Sequence, residues 1–209
     1  MKTTEFWSEL VTKASWEKLT EISKKYDFIL IGGWAAYLWT KAHKSKDIDI
    51  VVDYKGLDSL RAEFTLIKNE RMKKYEIKQG GFDIDVYLSH YSRLAVPAEE
   101  LFRNSSRVEG IRTVTPEMLV ILKQGAEIDR KGSVKGRKDQ IDILTILIYS
   151  GFNFAKYRRH LKEYELETME AELRRVVSGF DPQDLAYLGL DHQRFVKWKR
   201  GFLEGLKKP

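Results

Sequence analysis

Residues 27–53 read DFILIGGWAAYLWTKAHKSKDIDIVVD, and no other stretch restricts the fold as tightly. A short apolar run closed by Gly32-Gly33 is the pattern of a buried strand that ends in a sharp turn. Good helix formers with no breaker follow, which predicts a helix from about Trp34 to Ala42. The β-branched segment DIDIVVD then predicts a second strand. A chain so arranged must build a sheet and cover it with helix.

The remaining pattern divides near Val114. The first 25 residues place Phe6, Leu10, Trp16, Leu19 and Ile22 at roughly helical spacing. KGLDSLRAEFTLIKNE, residues 55–70, reads as a helix. MKKYEIKQGGFDIDVYLSH reads as two strands joined at Gln79-Gly80-Gly81, and RVEGIRTV as one further strand at an edge. From Thr115 onward only helical periodicity remains, carried first by Leu119, Leu122 and Ala126, then by Ile141, Leu144 and Ile148. Thr115-Pro116 is a suitable helix start, with threonine as cap and proline in the first turn. RKGSVKGRK, Arg130 to Lys138, is basic and poor in apolar residues, so an exposed loop between two helices is expected there.

Alternate residues of a strand share a face, so Asp47 and Asp49 project together while Ile48 and Ile50 take the other side. Two neighbouring carboxylates repel unless something positive lies between them. With all-oxygen ligands and no cysteine in the chain, Mg²⁺ is the expected cation rather than zinc. An isolated D-x-D is more often a solvated pair, but three neighbours argue otherwise. Gly32-Gly33 stands where backbone N–H groups at a helix start could cradle phosphate. FDIDVYL repeats the pattern with Asp83 and Asp85, and a third carboxylate suits phosphoryl transfer to a hydroxyl. Asp85, flanked by Ile84 and Val86, is the preferred one, although Asp83 is a candidate too. Finally, Lys44, Ser45 and Lys46 immediately precede the acidic pair as donors for a triphosphate.

Gly-Gly, thirteen residues from Trp34 to Lys46, then Asp-Ile-Asp-Ile resembles the signature of the nucleotidyltransferase superfamily with the fold of DNA polymerase beta. The resemblance covers Ile31 to Tyr87. It implies an α+β chain, with a mixed-sheet nucleotidyltransferase domain over residues 1–114 and an all-helical domain over 115–209. It also implies that Asp47, Asp49 and Asp85 hold Mg²⁺ and act in catalysis, and that Gly32, Gly33, Ser45 and Lys46 lie against the nucleotide. LVILKQGAEIDRKGSVKGRKDQIDILTIL is similar to the Lys…Arg…Lys-Asp…Asp block of minimal nucleotidyltransferases. These include the toxin component of abortive-infection type IV toxin–antitoxin systems, a likeness that makes an antitoxin a candidate partner. On that likeness Lys123 reaches the nucleotide, while Lys138, Asp139 and Asp142 fix the second helix. Lys123, Glu127 and Arg130 would share a helix face opposite Leu119, Leu122 and Ala126.

The expected reaction is attack by an acceptor hydroxyl on an NTP (ATP, CTP, GTP or UTP), with RNA as a candidate acceptor. Net charge of +6 and a pI near 9.3 suit polyanionic partners. No apolar stretch approaches the roughly 18 residues of a membrane span, and no signal peptide is evident, so a cytoplasmic protein without a membrane partner is expected. The rival reading is a non-catalytic nucleotide- or RNA-binding module on the same fold. A glycosyltransferase D-x-D would need longer β/α alternation than residues 1–114 supply. His43, His90, His160 and His192 are scattered without ligand spacing, and the aromatic residues Tyr187, Phe195, Trp198 and Phe202 suit helix packing.

Overall fold

The computed structural model describes residues 6–207. Helix α1 (Glu9–Ser23) leads to β1 (Ile29–Ile31), which passes without a loop into α2 (Gly32–Thr40). Next come β2 (Ile48–Val52), α3 (Tyr54–Arg61), β3 (Ile67–Asn69), β4 (Lys74–Lys78) and β5 (Asp83–Leu88). A 3-10 turn (Ala98–Phe102) precedes β6 (Ser105–Val108) and β7 (Ile111–Val114). Helices complete the described chain: α4 (Pro116–Asp129), α5 (Val134–Tyr149), α6 (Phe154–Glu163), α7 (Thr168–Ser178), α8 (Leu185–Leu188) and α9 (His192–Gly205).

The chain is α+β. Its seven strands form one mixed sheet in the order β3-β4-β5-β2-β1-β7-β6. Strands β2 and β5 are parallel, with Ile48 beside Ile84 and Ile50 beside Val86. That pairing puts fully buried side chains on one face and leaves the aspartates for the other. Helix α2 packs against β1, β2, α4 and α5 and so joins the sheet to the helices. Trp34, fully buried, donates from Nε1 to Ser15 Oγ at 2.8 Å and ties α1 to α2. Trp39 Nε1 donates to the Val114 carbonyl at 2.9 Å, at the junction of β7 and α4. Farther out, Tyr157 donates to Gln124 Oε1 at 2.7 Å and Gln124 Nε2 donates to Met169 O at 2.8 Å. Buried polar groups are thereby satisfied where α4, α6 and α7 meet.

Five expectations from the sequence change. The helix expected over 55–70 stops at Arg61, capped at its start by Asp53, and β-branched Thr65 and Ile67 lead into β3 against β4. RVEGIRTV contributes to two strands rather than one, because Glu109 (φ 51°) and Gly110 (φ 82°) make a tight turn with two positive-φ residues, the geometry hairpins favour. The basic loop is short. Ser133 Oγ accepts from the Gly136 N–H at 3.0 Å, so Val134 to Lys138 already belong to α5. In α1 the buried stripe is Thr12, Ser15, Leu19 and Ile22, while Leu10 lies off that face and is 81% exposed. Helix α2 also starts at Gly32 rather than at Trp34.

Trp34→Ala should destabilise the protein by about 3–5 kcal/mol, a cavity cost joined to an orphaned Ser15 hydroxyl. Urea denaturation would register it as a lower midpoint with little change in slope.

Candidate active site

Register creates the site. In the parallel pair β2–β5, Asp49 lies directly beside Asp85, and on the other flank of β2 Ile31 pairs with Asp49. Because Gly32 follows Ile31, the first residue of α2 arrives against the Asp49 side chain. A Cβ on Gly32 would lie 2.1 Å from Asp49 Oδ2, and its φ of +71° also favours glycine. A Cβ on Gly33 would lie 2.4 Å from Ser45 Oγ, so the second glycine makes room for a different neighbour. Ser45, buried, donates to the Asp47 carbonyl at 3.2 Å. Asp47 Oδ1 in turn accepts from the Asp83 N–H at 3.2 Å, which clips the entry of β2 to β5. Lys46 is half-buried in the same turn.

Lysines from β4 face the second acidic pair. Lys74 Nζ is 2.5 Å from Asp85 Oδ2 and 3.4 Å from Glu76 Oε1. Lys78 bonds Asp83 Oδ2 and Glu76 Oε2, each at 2.8 Å. Asp85 is thus the carboxylate beside Asp49, and Asp83 is the more exposed one at the strand's start. Among the described residues Asp47 and Asp49 form no ion pair. Nor do three His, Asp or Glu side chains converge there as a ready metal-ligand set. Asp85 lies on Lys74, and Asp47 on the backbone of Asp83.

The helices contribute a buried charge cluster. Lys123 Nζ donates to Asp142 Oδ2 at 2.7 Å and to Asp139 Oδ1 at 3.2 Å. Lys138 also bonds Asp142, and Arg130 Nε donates to Asp139 at 2.7 Å. Lys123 and Glu127 are buried, so they do not form the solvated face that simple periodicity allows. Arg175 pairs with Glu127, while Ile128 is partly exposed. Most charges of the expected basic loop are engaged as well: Arg130 with Asp139, Lys131 with Glu172, and Arg137 with Asp184.

Burial pushes the Asp49 carboxyl up to about 7, and the charges of Asp85 and Asp47 add to it, opposed by Lys123 and Lys74. Asp85 is raised too, because burial outweighs its bond to Lys74. Burial alone would lower Lys123, but Asp142 and Asp139 hold it above its ordinary value, helped by Asp49. Burial raises the Tyr87 phenol, and Asp49 and Asp85 raise it further. Lys74, Glu76 and Tyr87 were not singled out from the sequence. The visible signal was the alternation Lys74-x-Glu76-x-Lys78 on the strand opposite Asp83 and Asp85.

Asp142→Ala should cost about 3–5 kcal/mol, because it leaves the buried ammoniums of Lys123 and Lys138 short of a partner. Chemical denaturation would measure the loss, and Asp142→Asn should retain part of the stability through its amide oxygen.

No protein-family model matches the chain, and no curated protein does. Among solved structures, a protein from H. pylori provisionally described as a nucleotidyltransferase is similar at TM-score 0.54 and 14% identity, covering 97% of this chain and 100% of its own. JHP933 from Helicobacter pylori aligns at TM-score 0.49 and 15% identity over 96% of this chain and 99% of its own. An antigenic nucleotidyltransferase-like protein from Paracoccidioides brasiliensis aligns at TM-score 0.40 and 18% identity over 86% and 90%. At such identities the likeness concerns architecture alone: this chain shares the fold of the first of these proteins.

Proposed function

We propose that the protein is a Mg²⁺-dependent nucleotidyltransferase that moves NMP from an NTP to an acceptor hydroxyl and releases pyrophosphate. One observation carries the reading: Asp49 and Asp85 sit side by side, with Gly32 against Asp49 and Gly33 against Ser45, so every part of the Gly-Gly…Ser…Asp-x-Asp pattern meets at one place. The shared architecture supports it.

Half-buried Asp47 and Asp49, crowded and without an ion pair, fit a divalent cation. Asp47 and Asp49 would hold a magnesium ion, whose positive charge would supply Lewis-acid stabilisation of the phosphates. The N–H groups at the start of α2 would face phosphate oxygens, beside the Asp49 and Ser45 side chains that fill the space the two glycines leave. Lys123 and Arg130, whose charges are felt at Asp49, would offset the growing negative charge of the leaving pyrophosphate. Asp85 would orient the acceptor hydroxyl and take its proton as the oxygen–phosphorus bond forms.

RNA is the acceptor we favour. Net charge supports it, and exposed Lys135 is available, whereas Arg130, Lys131 and Arg137 already serve internal pairs. An antitoxin partner and a cytoplasmic setting rest on sequence resemblance and composition only. The ion pair of Lys74 with Asp85 favours the second reading, a nucleotide-binding module without transfer. Each α-labelled NTP incubated with Mg²⁺ and total RNA separates the two. Label in RNA supports transfer, and nucleotide binding with no labelled product supports the module.

Asp49→Asn should abolish Mg²⁺-dependent NTP binding, read by calorimetric titration, while the fold persists. The same residue sets a pH dependence. Its folded-state pKa is raised from 3.8 to about 7, so the folded chain binds the extra proton between those values. Metal-free stability should therefore fall as pH rises through that window and reach its floor above about 7. Thermal melts in chelator at about pH 5 and about pH 8 should show the drop, which Mg²⁺ reverses at the higher pH and Asp49→Asn flattens.

A further inference from the structure

Lys74 shares with Lys123 a nearly buried ammonium held between two carboxylates, and it is the one bonded to Asp85. Its side chain is 12% exposed, and those of its partners Asp85 and Glu76 are 16% and 15% exposed. Lys78, which pairs with Asp83 and Glu76, is half exposed. The Lys74 ammonium thus lies enclosed between two carboxylates, on the strand next to the one that carries Asp85. Glu76 is held in turn by Asn69 Nδ2 at 2.9 Å and by Lys78, so the cradle is itself fixed.

A cation bound at Asp85 would have to share the carboxylate with this ammonium. Two positive charges within contact distance repel, and withdrawing Lys74 would leave a largely buried ammonium without its partner, which is strongly unfavourable. Asp47 and Asp49 carry no such lysine. The acidic cluster therefore has two unequal halves, one whose carboxylate is bonded to a lysine and one that feels Lys123 and Lys74 without an ion pair. We propose that Lys74 occupies the place at Asp85 that a second divalent ion would take, so that the site holds a single divalent cation, at Asp47 and Asp49. The inference rests on the nucleotidyl-transfer reading, which is what puts a cation at that pair.

Lysine differs from a metal ion in ways that matter here. It donates hydrogen bonds but accepts no ligands, so it neutralises Asp85 without fixing an octahedron of oxygens. It also cannot be exchanged, so the Asp85 half of the cluster keeps its charge whatever the metal concentration. Lys74 is accordingly a positioning residue for Asp85.

Counting Mn²⁺ tests this. The full chain, saturated with a non-hydrolysable α,β-methylene ATP, is titrated with Mn²⁺, and free Mn²⁺ is followed by electron paramagnetic resonance. The unsubstituted protein should bind a single ion per complex. Lys74→Met, which keeps the length and removes the charge, should bind one more, and adding Asp85→Asn should remove that extra ion. A second ion in the unsubstituted protein overturns the proposal whatever the variants do. So does a single ion in folded Lys74→Met, with folding checked by circular dichroism. Absence of any Mn²⁺-dependent nucleotide binding overturns the transferase reading together with it, and that outcome is distinct from a count of two.

Discussion

Like charges crowded on a half-buried sheet face are the constraint that the rest of this protein answers. Asp49 and Asp85 are brought together by the parallel register of β2 and β5, and nothing in the strands themselves separates them. A hydrophobic sheet alone would exclude such a pair. It persists because the opposite face carries the core through Ile48, Ile50, Ile84 and Val86. Three cations gather there: Lys74 from β4, Lys123 from α4 and Arg130 just past the end of α4.

The helical half is built around that demand. Lys123 could not be buried in α4 unless Asp139 and Asp142 came with it on α5. The cluster thus positions a charge and also sets the register of α4 against α5. Glu127 repeats the device one turn on, where Arg175 of α7 closes over it. Such pairs contribute modestly to net stability, but each is costly to break, which favours one arrangement of α4, α5 and α7 over neighbouring ones.

Much of this was legible in the sequence, for reasons that can be named. Period-2 alternation in DIDIVVD and FDIDVYL gave the strands and their acidic face, since a strand's side chains have only two directions. The boundary of strand and helical patterns at Val114 followed from the loss of that alternation. The end of α3 was hidden, because Ala62 to Leu66 continues a helix-compatible composition while β3 is set by pairing with β4. The buried charges of α4 were hidden for a deeper reason: periodicity sorts polar from apolar and has no means of telling a solvated lysine from one matched by carboxylates sixteen and nineteen residues away. Lys74 escaped notice in the same way, its meaning lying on the neighbouring strand.

Gly33 lies outside the left-handed region of backbone conformation, so nothing in its own torsions requires glycine. Its missing side chain is the space that the Ser45 hydroxymethyl fills. Positions 33 and 45, at opposite ends of the segment that contains α2, therefore behave as one volume divided between two residues. A larger group at one can be accommodated only by a smaller one at the other. In descendants of this chain the two should change size in opposite directions, or not at all, a record of the turn's geometry kept in paired substitutions rather than in either residue alone.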